Sequence, residues 1–177
     1  MRTSVFTVAF ALAAALIVSS CGGDRPENCP DASMLASASI VSIMRDGTTP
    51  DPANELYTVQ LDKVTSTCRL SEVDRTSEED VDVEFRATRS SGGEAATYTV
   101  PFFVAVAQAG KVVSKKAYTV QVSFQAGETV TSVDQDIDSV VINVDRDKHA
   151  IDYQVLVGMQ LTKEQFEYNR AHGRYAQ

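Results

Sequence analysis

The stretch Tyr98-Thr99-Val100-Pro101-Phe102-Phe103-Val104-Ala105-Val106-Ala107 is apolar on both faces of an extended chain from Phe102 onward. A strand that is covered on both faces loses the polar alternation of a half-exposed strand. The stretch therefore predicts a core strand, in the middle of a sheet or beneath another layer. Pro101 has no amide hydrogen to donate, which predicts a bulge or an unpaired position near the start of this strand.

Segments on either side of this strand alternate apolar and polar residues with a period of two. Such alternation indicates strands with one face in solvent. The clearest segments are 57–62, 81–88, 118–124 and 153–159. Less regular apolar runs predict further strands at 40–44 and in parts of 129–144, which brings the expected number to seven or eight.

Turn formers separate these strands at 90–94, 108–111 and 125–128. Strands at this spacing are typical of two packed sheets. We predict an all-β chain with one domain over 34–177, a two-layer antiparallel β-sandwich of immunoglobulin-like or transthyretin-like type. An open barrel is the alternative.

The end of the chain predicts one short helix. Thr162 and Gln165 have the spacing of a capping box, and Gly173 is a suitable stop. We expect the tail 172–177 to fray. The basic and aromatic side chains of this region favour packing of the helix against its own domain, with contact to a partner as the alternative; they are Tyr168, Arg170, His172, Arg174 and Tyr175.

The first twenty-one residues have the pattern of an export signal. Arg2 precedes an unbroken apolar run from 5 to 18, and Val18-Ser19-Ser20-Cys21 follows. A basic start, an apolar core and small residues before a cleavage point are typical of a signal peptide. The cysteine directly after them resembles the lipobox of bacterial lipoproteins. The alternative, a retained membrane helix, needs about 20 apolar residues, more than this run offers.

We therefore expect residues 1–20 to be removed and Cys21 to carry acyl chains. More than one chain holds a protein stably at a membrane. The segment 21–33 is rich in turn formers and charges and predicts a tether with no fold of its own. The expected location is the cell envelope, facing the periplasm, and Gly22 favours the outer membrane.

The two remaining cysteines bear on the fold, and the net charge of the chain bears on the kind of partner it can bind. Cys29 and Cys68 form an even pair in an oxidising compartment and predict a disulfide, with two unpaired thiols as the alternative. The chain has 24 Asp and Glu against 16 Lys and Arg. Because nucleic-acid binding depends on neutralising phosphates, we expect no nucleic-acid partner.

Three short segments carry a resemblance to a known family. They are Pro101-Phe102-Phe103-Val104-Ala105-Val106, Gly158-Met159-Gln160-Leu161-Thr162-Lys163-Glu164-Gln165 and Asn169-Arg170. The chain resembles a family of small envelope lipoproteins from Gram-negative bacteria to which no activity is attached. The resemblance covers most of the chain after Cys21, supports the predicted location and fold, and implies no catalytic residue.

Catalytic motifs are absent from the sequence. His149 and His172 lie outside any such motif and predict solvated surface residues. We therefore expect no cofactor and predict that the chain is not an enzyme, with a site assembled from scattered residues as the alternative.

The most specific candidate binding site in the sequence is a group of acidic residues. Period-two spacing would place Asp134, Asp136 and Asp138 on one strand face, where a hard cation such as calcium could bind. Ser139 stands where an EF-hand loop needs glycine, so an EF-hand is excluded. A solvated strand face is the more ordinary interpretation. The run Glu78-Glu79-Asp80 predicts a loop that leads into another polar face.

These observations together predict a non-catalytic binding or assembly accessory to another envelope protein. A calcium- or small-ligand-binding module and an enzyme are the alternatives.

Overall fold

The computed structural model describes residues 28–174. The predicted signal at 1–20, Cys21, the tether residues up to 27 and Tyr175 lie outside the described residues. Within 28–174, eight strands form two four-stranded sheets, and one short helix follows the last strand. No helix in this part of the chain has the length and apolar character needed to span a membrane.

The elements follow one another in the order β1 (Asp31–Met34), β2 (Ile40–Met44), β3 (Glu55–Ser71), β4 (Thr76–Thr88), β5 (Ala96–Gln108), β6 (Lys111–Phe124), β7 (Val130–Asn143), β8 (Tyr153–Met159) and α1 (Lys163–Ala171). Short 3-10 turns lie at Ala36–Ala38, Pro52–Asn54 and Ala150–Asp152.

Sheet 1 has the strand order β1-β8-β5-β6, and sheet 2 has the order β2-β3-β4-β7. Neighbouring strands are antiparallel except β1 and β8, which are parallel. The predicted β-sandwich is confirmed, and the alternative of a barrel is wrong.

The core lies between the sheets and centres on β5. Phe102 on β5 meets Phe85 on β4 edge to face, with ring centroids 5.0 Å apart. Alternating residues from 81 to 87 and from 100 to 106 complete this layer. The other face of β5 is also buried, because Phe103 and Ala105 lie beneath the 3-10 turn at Ala36–Ala38. The prediction of a strand covered on both faces is confirmed.

Pro101 is in register with Thr119 on β6, has no strand partner on the β8 side and causes no bulge. Its carbonyl oxygen accepts from the Gln160 N–H at 3.0 Å, so this side of the residue faces the end of β8. The amide and the carbonyl of a strand residue point to the same side, and β8 ends at Met159. The amide hydrogen that Pro101 lacks would therefore have pointed past the end of β8, where no strand residue accepts a hydrogen bond. The register shift between β5 and β6 lies elsewhere, between Val106 and Ala107.

The domain begins earlier than the predicted boundary at residue 34. β1 starts at Asp31, inside the predicted tether, and Cys29 is buried. β1 escaped sequence analysis because it has only four residues and pairs with β8, more than a hundred residues away. Its residues Ala32 and Met34 pack against the main core.

The predicted capping box of α1 is confirmed. The Gln165 N–H donates to Thr162 Oγ1 at 3.2 Å, and the Thr162 N–H donates to Gln165 Oε1 at 2.9 Å. Gly173 has a φ of 61°, in the left-handed region that glycine adopts at no steric cost, and ends the helix as predicted.

Cys29 and Cys68 form the predicted disulfide. Their Cα atoms are 6.0 Å apart, and 39 residues separate them in sequence. The bond joins the chain just before β1 to the far half of β3. It therefore attaches the first residues of the domain to sheet 2, although β1 itself belongs to sheet 1.

Loss of this bond should weaken the fold measurably. For a loop of this length, closure entropy alone predicts that the Cys29→Ser/Cys68→Ser variant loses about 4 kcal/mol of unfolding free energy. Guanidinium unfolding of the oxidised chain, the reduced chain and the variant measures the difference. Reduced chain and variant should agree; equal stability of all three would contradict a structural role for the bond.

Candidate functional site

The tail after α1 docks on sheet 2 and does not fray at Arg174. The Arg174 guanidinium forms an ion pair with the Glu55 carboxylate, with 2.6 Å between Nη2 and Oε1, and donates to Ser42 Oγ at 3.2 Å. Asn169 on α1 donates to the Ile40 carbonyl oxygen at 2.7 Å. The expectation of a frayed tail is therefore wrong for this residue, which anchors the end of the described chain to β2 and β3.

Tyr168 is the centre of this docking contact. Its side chain is buried, and its hydroxyl donates to Glu55 Oε1 at 2.6 Å, the same oxygen that Arg174 contacts. Burial, followed by the hydrogen bond to Glu55, raises the pKa of Tyr168 to about 12. The predicted packing of the basic and aromatic tail against its own domain is confirmed for Tyr168 and Arg174.

A shallow apolar hollow lies on the outer face of sheet 1, where β8 leads into α1. Its volume is about 310 Å³. Apolar side chains from β5, α1, the segment after β1 and the segment before α1 form its walls, namely Leu35, Phe103, Leu161 and Phe166. Phe166 remains 39% exposed. The hollow is therefore an accessible apolar surface on an acidic protein.

Lysines border this hollow. The ammonium of Lys115 lies 3.9 Å from the centre of the Phe103 ring, in cation–π contact, and Lys163 stands at the start of α1. A partner with an apolar side chain flanked by carboxylates would match both features. We call this surface, formed by the walls and the two lysines, the apolar hollow.

Gly158 lies directly against Phe103 and Ala38, two residues that line the apolar hollow. Glycine is required here because a Cβ atom at residue 158 would lie 2.6 Å from Cζ of Phe103 and 3.3 Å from Cβ of Ala38. The Phe103 ring thus rests directly on the β8 backbone. The sequence contains a glycine amid a strand pattern, which is the usual signal of such a close approach.

The three aspartates predicted on one face of a strand do lie there. Asp134, Asp136 and Asp138 are exposed on β7, and the first two stand opposite Glu84 and Asp82 on β4. The carboxylates therefore form a broad acidic face. Within residues 28–174, no group of three or more metal-ligating side chains has an arrangement that could hold a metal ion.

Part of the acidic face is neutralised within the molecule. The Arg69 guanidinium donates to Asp80 at 2.8 Å and lies 3.5 Å from Glu78. The hydrogen bond from Arg69, followed by that from the Ser139 N–H, lowers the pKa of Asp80. These contacts join β3, β4 and β7 on the outer face of sheet 2, which is a structural role.

A buried carboxylate was missed by sequence analysis. Glu79 is fully buried and accepts from the hydroxyls of Ser77, at 2.6 Å, and Ser66, at 3.3 Å. The run 78–80 lies inside β4 and forms no loop, so that interpretation was wrong. Glu79 has the same parity as the buried residues Val81 and Val83, and this alternation was the signal that could have located it.

The end of the sandwich near the disulfide has a larger, polar hollow of about 440 Å³, to which Arg75 and His149 contribute. Arg75 is committed to the chain itself, since its guanidinium donates to the carbonyl oxygens of Val144, Asp145 and Lys148. His149 is exposed, and its backbone N–H donates to the Asp152 carboxylate at the 3-10 turn. The arrangement stabilises the turn between β7 and β8.

The two histidines belong to different parts of the structure. His172 is exposed and stacks on Tyr168, with ring centroids 4.2 Å apart, and its Nδ1 lies 2.9 Å from the Tyr168 carbonyl oxygen. It belongs to the docking of the tail.

Comparison with known proteins finds no match to the chain among protein-family models, curated proteins or solved structures. The resemblance to envelope lipoproteins stays a prediction.

Filling the space above Gly158 should displace Phe103. We expect Gly158→Ala to lose about 1–3 kcal/mol of unfolding free energy, because the neighbouring ring and backbone must move. Gly93→Ala is the matched control, since a Cβ there meets only Arg89 Nη1 at 3.5 Å, an ordinary contact. Denaturant unfolding measures both, and similar stabilities for the two variants would contradict the close approach.

The raised pKa of Tyr168 predicts a loss of stability at alkaline pH. The folded state holds this proton more tightly than the unfolded chain, whose tyrosine pKa is about 10. The contribution is complete below that pH and falls as pH rises toward about 12. Burial and Tyr98 also raise the pKa of Tyr57, so both residues contribute.

Spectrophotometric titration of tyrosinate checks this assignment. In Tyr168→Phe, the absorbance change that disappears should belong to the late, high-pH part of the curve. Loss of amplitude near the ordinary tyrosine pKa would show that the folded protein does not raise the pKa of Tyr168.

Proposed function

We propose that the chain is a lipid-anchored envelope protein, facing the periplasm, that acts without catalysis as a binding or assembly accessory to another envelope protein. The observation that carries this proposal is the apolar hollow, which is shallow, accessible and bordered by lysines. Exposed apolar surface of this kind is typical of protein contacts.

The position of the apolar hollow suits an anchored protein. Cys21 precedes Cys29 by eight residues, so even a fully extended link would span at most about 30 Å. The disulfide attaches that link to the domain before β1. Leu35 follows β1 whereas Cys29 precedes it, so this strand separates the hollow from the attachment point.

The partner chemistry follows from the walls of the hollow. Phe103, Leu161 and Phe166 would receive an aliphatic or aromatic side chain. Lys115 and Lys163 would pair with carboxylates on either side of it. Aromatic anchors in pockets with a charged rim are the usual centre of protein interfaces. The occupant is therefore an apolar residue in an acidic segment of a second protein.

The experiment is capture of the full-length chain after crosslinking in living cells. The Phe166→Glu variant places a charge on the exposed wall of the apolar hollow, and Cys21→Ala removes the acylated thiol. Val73→Glu is the matched control, because Val73 is 94% exposed on the turn between β3 and β4, away from the hollow.

We expect one envelope protein to be captured by the natural chain and by Val73→Glu, and to be lost with Phe166→Glu and Cys21→Ala. Thermal melting of Phe166→Glu should match the natural chain. Capture that is insensitive to Phe166→Glu would contradict the role of the hollow, and no capture by the natural chain would contradict the accessory function.

A further inference from the structure

The sandwich has two free strand edges on the same side. Among the strands of residues 28–174, β6 pairs only with β5 and β7 pairs only with β4. β6 and β7 lie against each other across the sandwich. A free edge presents unpaired backbone donors and acceptors, which can pair with a strand of another molecule.

These two edges carry opposite charges. The side chains of β6 include Lys111, Lys115 and Lys116, and those of β7 include Asp134, Asp136 and Asp138. All six are exposed. Like charges facing each other across a strand pair are destabilising, and opposite charges are favourable. An edge of one kind should therefore repel its own copy and attract the other.

The edges also carry exposed apolar side chains. An edge that only had to repel other strands would need its charges but not these side chains. Val112 and Val113 on β6 are 62% and 55% exposed, and Val130 and Val141 on β7 are 42% and 53% exposed. Lysines on an edge normally protect it from pairing. Here they stand beside valines on one edge, with a complementary edge directly below.

We propose that two copies of this chain form a symmetric dimer in which β6 of each copy pairs with β7 of the other. A two-fold axis parallel to the strands brings both pairs together and joins the four-stranded sheets into two continuous eight-stranded sheets. Such an interface is closed, so the assembly stops at two copies. This inference uses the free edges of β6 and β7, which share only Lys115 with the apolar hollow, and it goes beyond the accessory function.

Strand lengths and direction match this arrangement. β6 and β7 have 14 residues each. Only five residues connect them, so β7 starts beside the end of β6 and runs back along it. The two-fold axis preserves this antiparallel direction between β6 and β7 of the second copy.

Counting from the connecting loop gives the expected register. Lys116 and Asp138 lie equally far from the loop-proximal ends of their strands, and so do Val113 and Val141. The dimer therefore brings Lys115 and Lys116 to the level of Asp138 of the second copy, with Lys115 on the same outer face as Asp138 and Lys116, opposite Val104, on the inner face. It also brings the two exposed valines to the same level of the strand pair.

Charge reversal tests the pairing directly. Lys116→Asp and Asp138→Lys should each weaken dimerisation of the full-length chain about tenfold or more, because each reverses a charge at the interface and lowers the charge complementarity between the β6 and β7 edges in both strand pairs. An equimolar mixture of the two variants should dimerise again, since both strand pairs then unite opposite charges. Asp46→Lys, on an exposed turn after β2, is the matched control and should dimerise normally.

Sedimentation in density-matched detergent, with protein well below the micelle concentration, measures the mass of each sample. A second variant, Val141→Glu, changes an exposed residue and should also yield monomers. A monomeric natural chain, single variants that dimerise normally, or a mixture that stays monomeric would each overturn the proposal. Crosslinking that recovers only mixed pairs from the mixture would support it.

Discussion

The rest of the structure depends on the burial of both faces of β5. Its inner face packs Phe102 against Phe85 and, by stacking at 5.5 Å, against Tyr118. Its outer face rests Phe103 on the backbone of Gly158. Because apolar area on the outer side also needs cover, the segment after β1 and the start of α1 must close over sheet 1.

This arrangement directs interaction to the outside of the sandwich. The interior is filled by side chains, and the buried carboxyl group of Glu79 is hydrogen-bonded by serine hydroxyls, as a buried polar group requires. The incomplete cover over Phe103 leaves the apolar hollow. The placement of β6 and β7 at the same side leaves a basic and an acidic edge together. Both proposals therefore arise from the way the core is closed.

Sequence periodicity located most strands, because apolar and polar residues alternate along a strand that has one buried and one exposed face. It failed for strands that lack this alternation. The first half of β6 is exposed on both faces, so residues 111–117 show no alternation, and β1 is too short to show one. The acidic face of β7 was predicted correctly from spacing, whereas the docking of Arg174 on Glu55 was not. An ion pair between residues so far apart in sequence has no local signal.

The sequence by itself determined the strands with one wet face, the doubly buried β5, the capping box of α1 and the pairing of the two cysteines described by the structure. These follow from period, local hydrogen bonding and parity, which act over a few residues or by elimination. Only the tertiary structure decided the order of the strands, the free edges, the contact of Phe103 with Gly158 and the burial of Glu79 beside two serines. Those features depend on which distant segments pair, and strand pairing is chosen by the packing of the whole core rather than by any single stretch of chain.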